Sequence, residues 1–189
     1  MTRPGKSTPA DAQHTAPGQR PKVVLAGLPG AGKSTMGRRI GHALHLPVID
    51  TDELIAERFN KPCGDVLREL GEEKFRAAEE EAVAQALQTN AVVSLGGGAV
   101  KSAQTREALM NHQVVYLYVD VAEGVRRTSG NKTRPLLDVP NPEEVYQRLY
   151  DERHELYEEV ASFRIRSGNH DPQRTVSAIL QYLEDAEQF

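Results

Sequence analysis

Along this chain, short continuous apolar runs alternate with stretches whose apolar positions recur at every third or fourth residue. Short runs bounded by turn residues predict buried strands, and the longer periodic stretches predict amphipathic helices. Lys22-Val23-Val24-Leu25-Ala26 is the first run, and Met36, Ile40, Ala43 and Leu44 follow it at helical spacing. Pro47-Val48-Ile49-Asp50-Thr51-Asp52 is a short strand ending in two carboxylates. Residues 53–59 read as helix, Asn60-Lys61-Pro62 break it, and 64–70 form another short helix. A longer helix covers 71–87, with Phe75, Ala78, Ala82 and Ala86 on one face. Residues 91–95 are a third, buried strand that runs into Gly96-Gly97-Gly98.

Ser102 is placed to cap a helix over 102–111, a fourth strand covers 114–119, and a further helix starts at 122 and reaches 128. Residues 129–141 are polar, contain Gly130, Pro135 and Pro140, and read as a mobile loop. Asn141-Pro142 then reads as an N-cap and first-turn proline, opening a helix that runs to about residue 159. A fifth strand spans 163–166, and Asp171-Pro172 opens a last helix with Val176, Ile179, Leu180 and Leu183 on its core face. Strands alternating with helices predict an α/β fold, a parallel sheet covered on both faces. Ligands of such sheets gather beyond the carboxyl ends of the strands. Residues 1–20, rich in Pro, Gly, Thr, Gln and Ala, read as a disordered extension, leaving one domain over 21–189.

Between the first strand and its helix lies Gly27-Leu28-Pro29-Gly30-Ala31-Gly32-Lys33-Ser34-Thr35, the G-x-x-x-x-G-K-[ST] pattern of a phosphate-binding loop. The glycines let backbone N–H groups converge on one anion, and the helix N-terminus adds partial positive charge. Lys33 can reach the outer phosphates and the Ser34 hydroxyl can ligate Mg²⁺. Gly5-Lys6-Ser7-Thr8 repeats the end of the motif but has neither the preceding strand nor the leading glycine.

Composition narrows the picture only slightly. The chain has 189 residues, 26% of them charged, and a net charge of −4, which argues against nucleic acid as main partner. Its one cysteine, Cys63, excludes an internal disulfide and any Cys-cluster metal site, so a reducing cytoplasm is the simple expectation. No apolar run is long enough to span a membrane and the N-terminus lacks a signal-peptide core. None of the six histidines forms a zinc-ligand pattern. No apolar patch stands out, and a monomer is expected.

Asp50 and Asp52, alternate residues of a strand, are expected to share a face and point into the cleft, one toward Mg²⁺ and the other toward a substrate hydroxyl. Asp52 or Thr51 could instead merely cap the following helix. Arg76 could grip a carboxylate bidentately with Glu79 orienting it, but composition alone favours a solvated arginine. Three glycines at 96–98 weaken a strand end, so they point to a close backbone approach to a small substrate rather than a plain turn. Arg127, Lys132 and Arg134 surround the mobile loop, where a closing arginine can neutralise a transferring phosphoryl group. Asn131-Lys132-Thr133-Arg134 lacks the Asp of a guanine-reading element. Arg153 lies on a helix of mixed charge and reads alone as a surface ion-pair residue.

Taken together, Gly27 to Thr35, Asp50-Thr51-Asp52, Gly71-Glu72-x-x-Phe75-Arg76-x-x-Glu79, Ser94-Leu95-Gly96-Gly97-Gly98-Ala99, Arg134-Pro135-Leu136-Leu137, and Arg153 followed by Tyr157 resemble the landmarks of shikimate kinases. The segments 27–40 and 122–137 resemble the single-function, actinobacterial type. The resemblance implies a P-loop, nucleoside-monophosphate-kinase-like fold: a five-stranded parallel sheet in the order 2-3-1-4-5, flanked by helices and closed by a mobile lid at about 129–141. It implies transfer of the ATP γ-phosphate to the 3-hydroxyl of shikimate, on the route to chorismate and aromatic amino acids. Gly30, Ala31, Gly32, Lys33, Ser34 and Thr35 would then hold ATP, with Arg127, Arg134 and His170 beside it. Ser34 and Asp50 would hold Mg²⁺. Asp52, Arg76, Gly97, Gly98 and Arg153 would bind shikimate, the first two from a substrate-binding segment at about 50–81. Lys33, Asp52 and Arg134 would carry the chemistry. Asn60 stands where the family often has glycine, Pro62 and Cys63 replace small and aliphatic residues, and His170 stands near a common adenine-loop arginine. The rival readings are another small-molecule kinase of this fold, such as a gluconate kinase, and a nucleotide-binding module without catalysis.

Overall fold

The computed structural model describes residues 19–129, 139–168 and 171–188. Most of the expected extension at 1–20 and of the expected lid at 129–141 lies outside the described residues, as do Arg134 and His170.

In chain order the elements are β1 (Val23–Ala26), α1 (Lys33–Leu44), β2 (Val48–Asp50), α2 (Thr51–Phe59), α3 (Cys63–Leu70), α4 (Glu72–Ala86) and β3 (Val92–Ser94). A 3₁₀ turn (Ala99–Lys101) leads to α5 (Ala103–Leu109), β4 (Val114–Tyr118), α6 (Val121–Thr128), α7 (Pro142–Val160), β5 (Phe163–Arg166) and α8 (Pro172–Glu187). The strands form one parallel sheet in the order β2-β3-β1-β4-β5, as the sequence predicts. Parallel neighbours cannot be joined by a tight turn, so helices carry each crossover and cover both faces.

The pleat sorts the apolar runs between two cores. Val23, Leu25, Val92, Val115 and Leu117 pack with Met36 and Ile40 of α1 and Val176, Ile179 and Leu183 of α8. Val24, Ala26, Val93, Val114 and Tyr116 face the other way, onto Val83, Leu109, Tyr146, Tyr157 and Val160. A third cluster, Ile55, Val66, Phe75 and Ala82, knits α2, α3 and α4 together beside the sheet. Among the described residues no helix is long and apolar enough to cross a membrane.

Three local expectations are corrected. Ala43 is exposed, and the buried stripe of α1 runs instead through Gly37 and Gly41. A Cβ on either would come within 3.2 and 2.7 Å of the Val48 methyls, so the two glycines let α1 lie close on β2. Second, β2 stops at Asp50, and Thr51 and Asp52 are already helical, so the two carboxylates are not alternate residues of one strand. The cap of α2 is neither Asp52 nor Thr51: the Asp50 carboxylate accepts the Asp52 N–H at 2.9 Å. Third, Asn141 occupies the N-cap position of α7 without a side-chain capping bond, although Pro142 sits in the first turn. Other signals hold. Ser102 accepts from the Thr105 N–H and Asp171 from the Gln173 N–H, and Asn60 ends α2 in the left-handed region at φ 51°.

Candidate active site

The loop between β1 and α1 turns through Gly30 at φ 82° and Gly32 at φ 92°, left-handed values that a side chain disfavours. No side chain of the described residues caps α1, so its first-turn N–H groups are left for a ligand. The loop carbonyls are turned to the protein instead. From Gly27 to Ala31 each successive carbonyl accepts from a side chain. Lys33 Nζ donates to Gly27 at 2.7 Å and Leu28 at 3.1 Å. The Tyr146 hydroxyl donates to Pro29 at 2.7 Å, Arg127 Nη1 to Gly30 at 3.2 Å, and the Ser167 hydroxyl to Ala31. The Ala31 N–H is spent on the Leu28 carbonyl at 3.1 Å, and the other loop N–H groups and the open end of α1 leave an anion-binding concavity. Arg127 also donates to the Gly168 carbonyl at 3.3 Å and is braced by Glu123 at 2.6 Å. Arg126 and Arg127 hold the Glu123 carboxyl down at about 2.

Across the cavity, α2, α4, α7 and the turn after β3 converge. Thr51 is fully buried and its hydroxyl accepts the Gly96 N–H at 2.8 Å, fixing the glycine turn to the start of α2. The space over these glycines is taken by the Asp52 and Arg76 side chains. A Cβ at Gly96 would meet Asp52 Oδ1 at 2.3 Å, and one at Gly98 would meet Arg76 Nη1 at 2.5 Å. The N–H groups of Gly97 and Gly98 have no partner among the described residues. Arg76 is not solvated: its guanidinium donates to the buried Glu79 carboxylate at 2.5 Å. Burial pushes the Glu79 carboxyl up against the pull of Arg76, while Glu79 and Glu72 overcome the burial of Arg76 and hold it charged. Arg153 is 7% exposed, so the surface reading suggested by its charged neighbours is wrong. Its Nη1 lies 3.5 Å from a Cβ position on Gly97.

A string of alternating charges joins the two arginines around the rim. Arg76 meets Glu72 at 3.4 Å, Glu72 meets Lys101 at 2.8 Å, Lys101 meets Glu152 at 3.2 Å, and Glu152 meets Arg153 at 3.2 Å. Lys101 is the main reason that the Glu72 carboxyl lies below its ordinary range; Lys101 and Arg153 lower that of Glu152 against the opposing effect of its burial.

A cavity of 820 Å³ joins the two ends. It brings together Gly30 to Thr35, Asp50, Asp52, Arg76, Gly97, Gly98, Arg127 and Arg153. Sequence reasoning missed several of its walls. Cys63, Leu67 and Arg68 enter from α3, and Ser167, Gly168, Pro172 and Thr175 close the end beside Arg127. Pro172 was legible only as a helix start; the signal for the group was its place just beyond the carboxyl end of β5. The Cys63 thiol donates to Asp52 Oδ1 at 3.6 Å, and burial, reinforced by Asp52, pushes its pKa up.

Oxygen donors suited to Mg²⁺ stand where the strand ends meet the loop. Ser34 and Asp50 line the cavity. In register with Asp50 is Ser94, 1% exposed, whose hydroxyl has no hydrogen-bond partner among the described residues. By the pleat, Ser94 shares the sheet face of Val92, the face that α1 covers. The oxygen donors of Ser34 and Asp50, both lining the cavity, fit a hard cation.

The arrangement places an anion-binding loop and a charged lysine at one end of a cavity, and a carboxylate with two oriented guanidiniums at the other. That geometry suits phosphoryl transfer to a small hydroxylated acid.

Comparison with known proteins points the same way. The family profile described as shikimate kinase matches residues 29–184. A shikimate kinase of Corynebacterium efficiens is 53% identical over 166 residues, 88% of this chain and 98% of the relative. The structure of shikimate kinase from Acinetobacter baumannii in complex with shikimate superposes with a TM-score of 0.83 at 33% identity, over 89% of this chain and 95% of that one. A gluconokinase from Sinorhizobium meliloti superposes with a TM-score of 0.59 at 18% identity, over 87% and 91%, a likeness of fold alone. With its profile spanning most of the chain and a relative identical at half its positions, the chain belongs to the shikimate kinase family.

Proposed function

We infer that this chain, an ATP-dependent kinase of its family, transfers the ATP γ-phosphate to the 3-hydroxyl of shikimate, forming shikimate 3-phosphate and ADP. The observation that carries the reading is the continuity of one cavity from the phosphate loop to the Arg76–Arg153 pair. Gly30, Ala31, Gly32, Ser34 and Thr35 of the phosphate loop and the Lys33 ammonium hold the phosphates. Arg127 flanks the nucleotide near Pro172, and His170 is assigned to the nucleotide as well. Arg76 and Arg153 grip the shikimate carboxylate, and Gly97 and Gly98 offer N–H groups beside it. Asp52 accepts a hydrogen bond from the acceptor hydroxyl and orients its oxygen. As that oxygen bonds to the γ-phosphorus, the bond to the bridging oxygen of ADP breaks. The hydroxyl proton passes to Asp52 or solvent. Lys33 and Arg134, the latter from the segment at 129–141, neutralise charge on the phosphoryl oxygens. Ser34 and Asp50 would hold Mg²⁺, which supplies charge neutralisation on the phosphates when bound. The working unit is a single cytoplasmic chain, a reading in keeping with one cysteine and no internal disulfide.

The test follows ADP release from Mg-ATP with shikimate, with gluconate and with neither. Release that depends on shikimate alone is expected. Release with gluconate alone would keep the phosphate end and overturn the roles of Asp52, Arg76 and Arg153. No release by protein shown to bind ATP would favour a non-catalytic nucleotide-binding module.

A further inference from the structure

Helix α7 touches both ends of the cavity through two tyrosine hydroxyls. Near its start, Tyr146 donates to the Pro29 carbonyl in the phosphate loop at 2.7 Å. Three turns on, Tyr157 donates to the Gly97 carbonyl in the glycine turn. Both rings are buried, at 0% and 1% exposure. Gly124 lacks the Cβ that would strike the Tyr146 ring at 2.1 Å, and the Tyr157 ring stacks on Tyr116 with centroids 5.0 Å apart. Neither hydroxyl can swing away without breaking that packing.

The contact at Gly97 has a directional consequence. A trans peptide is planar, with its C=O and the following N–H on opposite sides. The Gly97 carbonyl turned onto Tyr157 therefore sends the Gly98 N–H the other way. Gly98 borders Arg76 and Gly97 borders Arg153, so this one peptide bridges the two guanidiniums. Its N–H has no partner among the described residues.

We propose that the Tyr157 hydroxyl is a positioning group for the acceptor, holding the Gly97–Gly98 peptide so that its N–H meets the acceptor carboxylate between Arg76 and Arg153, while Tyr146 does the same for the phosphate loop. This rests on the reading of Gly97, Gly98 and Arg153 as acceptor contacts. The two hydroxyls share one helix but serve opposite ends of the cavity, and that separates positioning from general destabilisation.

The test is steady-state kinetics of Tyr157→Phe and Tyr146→Phe with each substrate varied in turn. Loss of one buried neutral hydrogen bond is expected to raise the shikimate KM of Tyr157→Phe about fivefold and leave its ATP KM within about twofold. Tyr146→Phe is expected to show the reverse. An unchanged shikimate KM in Tyr157→Phe, or a parallel rise of both constants in both variants, overturns the proposal. A second readout needs no variant: with ¹⁵N-glycine label, shikimate should shift the Gly98 amide of the wild-type protein, and an unmoved amide overturns the proposal as well. An active wild type with an indifferent Tyr157→Phe sinks this inference alone. A wild type without shikimate-dependent ADP release sinks it together with the proposed function.

Discussion

Gly98→Ala tests the acceptor end with one added methyl. Gly98 sits at φ −95° and ψ −5°, values that alanine adopts without strain, so the backbone need not change. The new Cβ would lie 2.5, 2.8 and 2.9 Å from Nη1, Nη2 and Cζ of Arg76. Ordinary contact begins near 3.4 Å, so the guanidinium must retreat by about 0.9 Å. The turn cannot yield in its place: Gly96 is bound by Thr51, and the Ala99 and Lys101 N–H groups donate to Gly96 and Gly98. Arg76 is the end of a long side chain and gives way at small cost to folding. A misplacement of this size at a binding group costs on the order of 10²-fold in rate, or about 2.7 kcal/mol of transition-state stabilisation. The expected result is a fall of about 10² in kcat/KM for shikimate, an ATP KM within about twofold of wild type, and a melting temperature within a few degrees. Gly97→Ala is the control, because its Cβ would meet Pro29 and Arg153 only at 3.4 and 3.5 Å. Coupled ADP-release kinetics with either substrate varied, alongside thermal melts, read both variants. Wild-type shikimate kinetics in Gly98→Ala would refute the argument, and so would a loss shared equally with ATP.

Arg153→Ala is expected to raise the shikimate KM at least tenfold with little change in ATP binding; unchanged shikimate kinetics would remove its role in the carboxylate clamp. Because burial and Asp52 raise the Cys63 pKa, iodoacetamide at pH 8.5 should alkylate it more slowly than a free cysteine peptide, and slower still with shikimate present. Mass spectrometry follows the adduct, and a rate equal to the peptide's would contradict the buried, Asp52-bonded thiol. Glu123 has a folded pKa lowered to about 2 from 4.5, so its contribution to stability is full above pH 4.5 and fades as pH falls toward 2. The difference in melting temperature between wild type and Glu123→Gln should therefore be present at pH 7 and narrow below pH 4.5; a difference that widens in acid would reverse the sign.

The middle of the sheet was legible because β1, β3 and β4 are continuous apolar runs buried on both faces, which few other elements imitate, while the edge strands β2 and β5 carry polar residues. The phosphate loop was legible for a similar reason, since its glycines and lysine are local and their spacing is the geometry. What escaped is what depends on partners distant in the chain. Arg153 looks like a surface residue among Glu152, His154 and Glu155, and only the sheet's other half reveals that α7 turns it inward. The Asp50–Asp52 pair reached the cavity by a route the strand pattern misassigned, because a capping carboxylate can end a strand and start a helix at one residue. Tyr146 and Tyr157 look like core residues, and they are; their hydroxyl partners lie 117 and 60 residues away in the chain. Ala43 fits the helical period as well as Gly41 does, and only the nearness of Val48 decides for the glycine.

The charged string from Arg76 through Glu72, Lys101 and Glu152 to Arg153 is an open circuit. It begins and ends on a cation, and its two ends face one cavity. An anionic acceptor seated between them completes a ring in which every charge has an opposite on either side; a neutral acceptor leaves the gap. Glu72 and Glu152 are well exposed, so salt weakens those links far more than it weakens the buried Arg76–Glu79 pair. The proposed grip on an acid is thus partly strung along the outside of the protein, where the ionic strength of the surroundings can loosen it without entering the site.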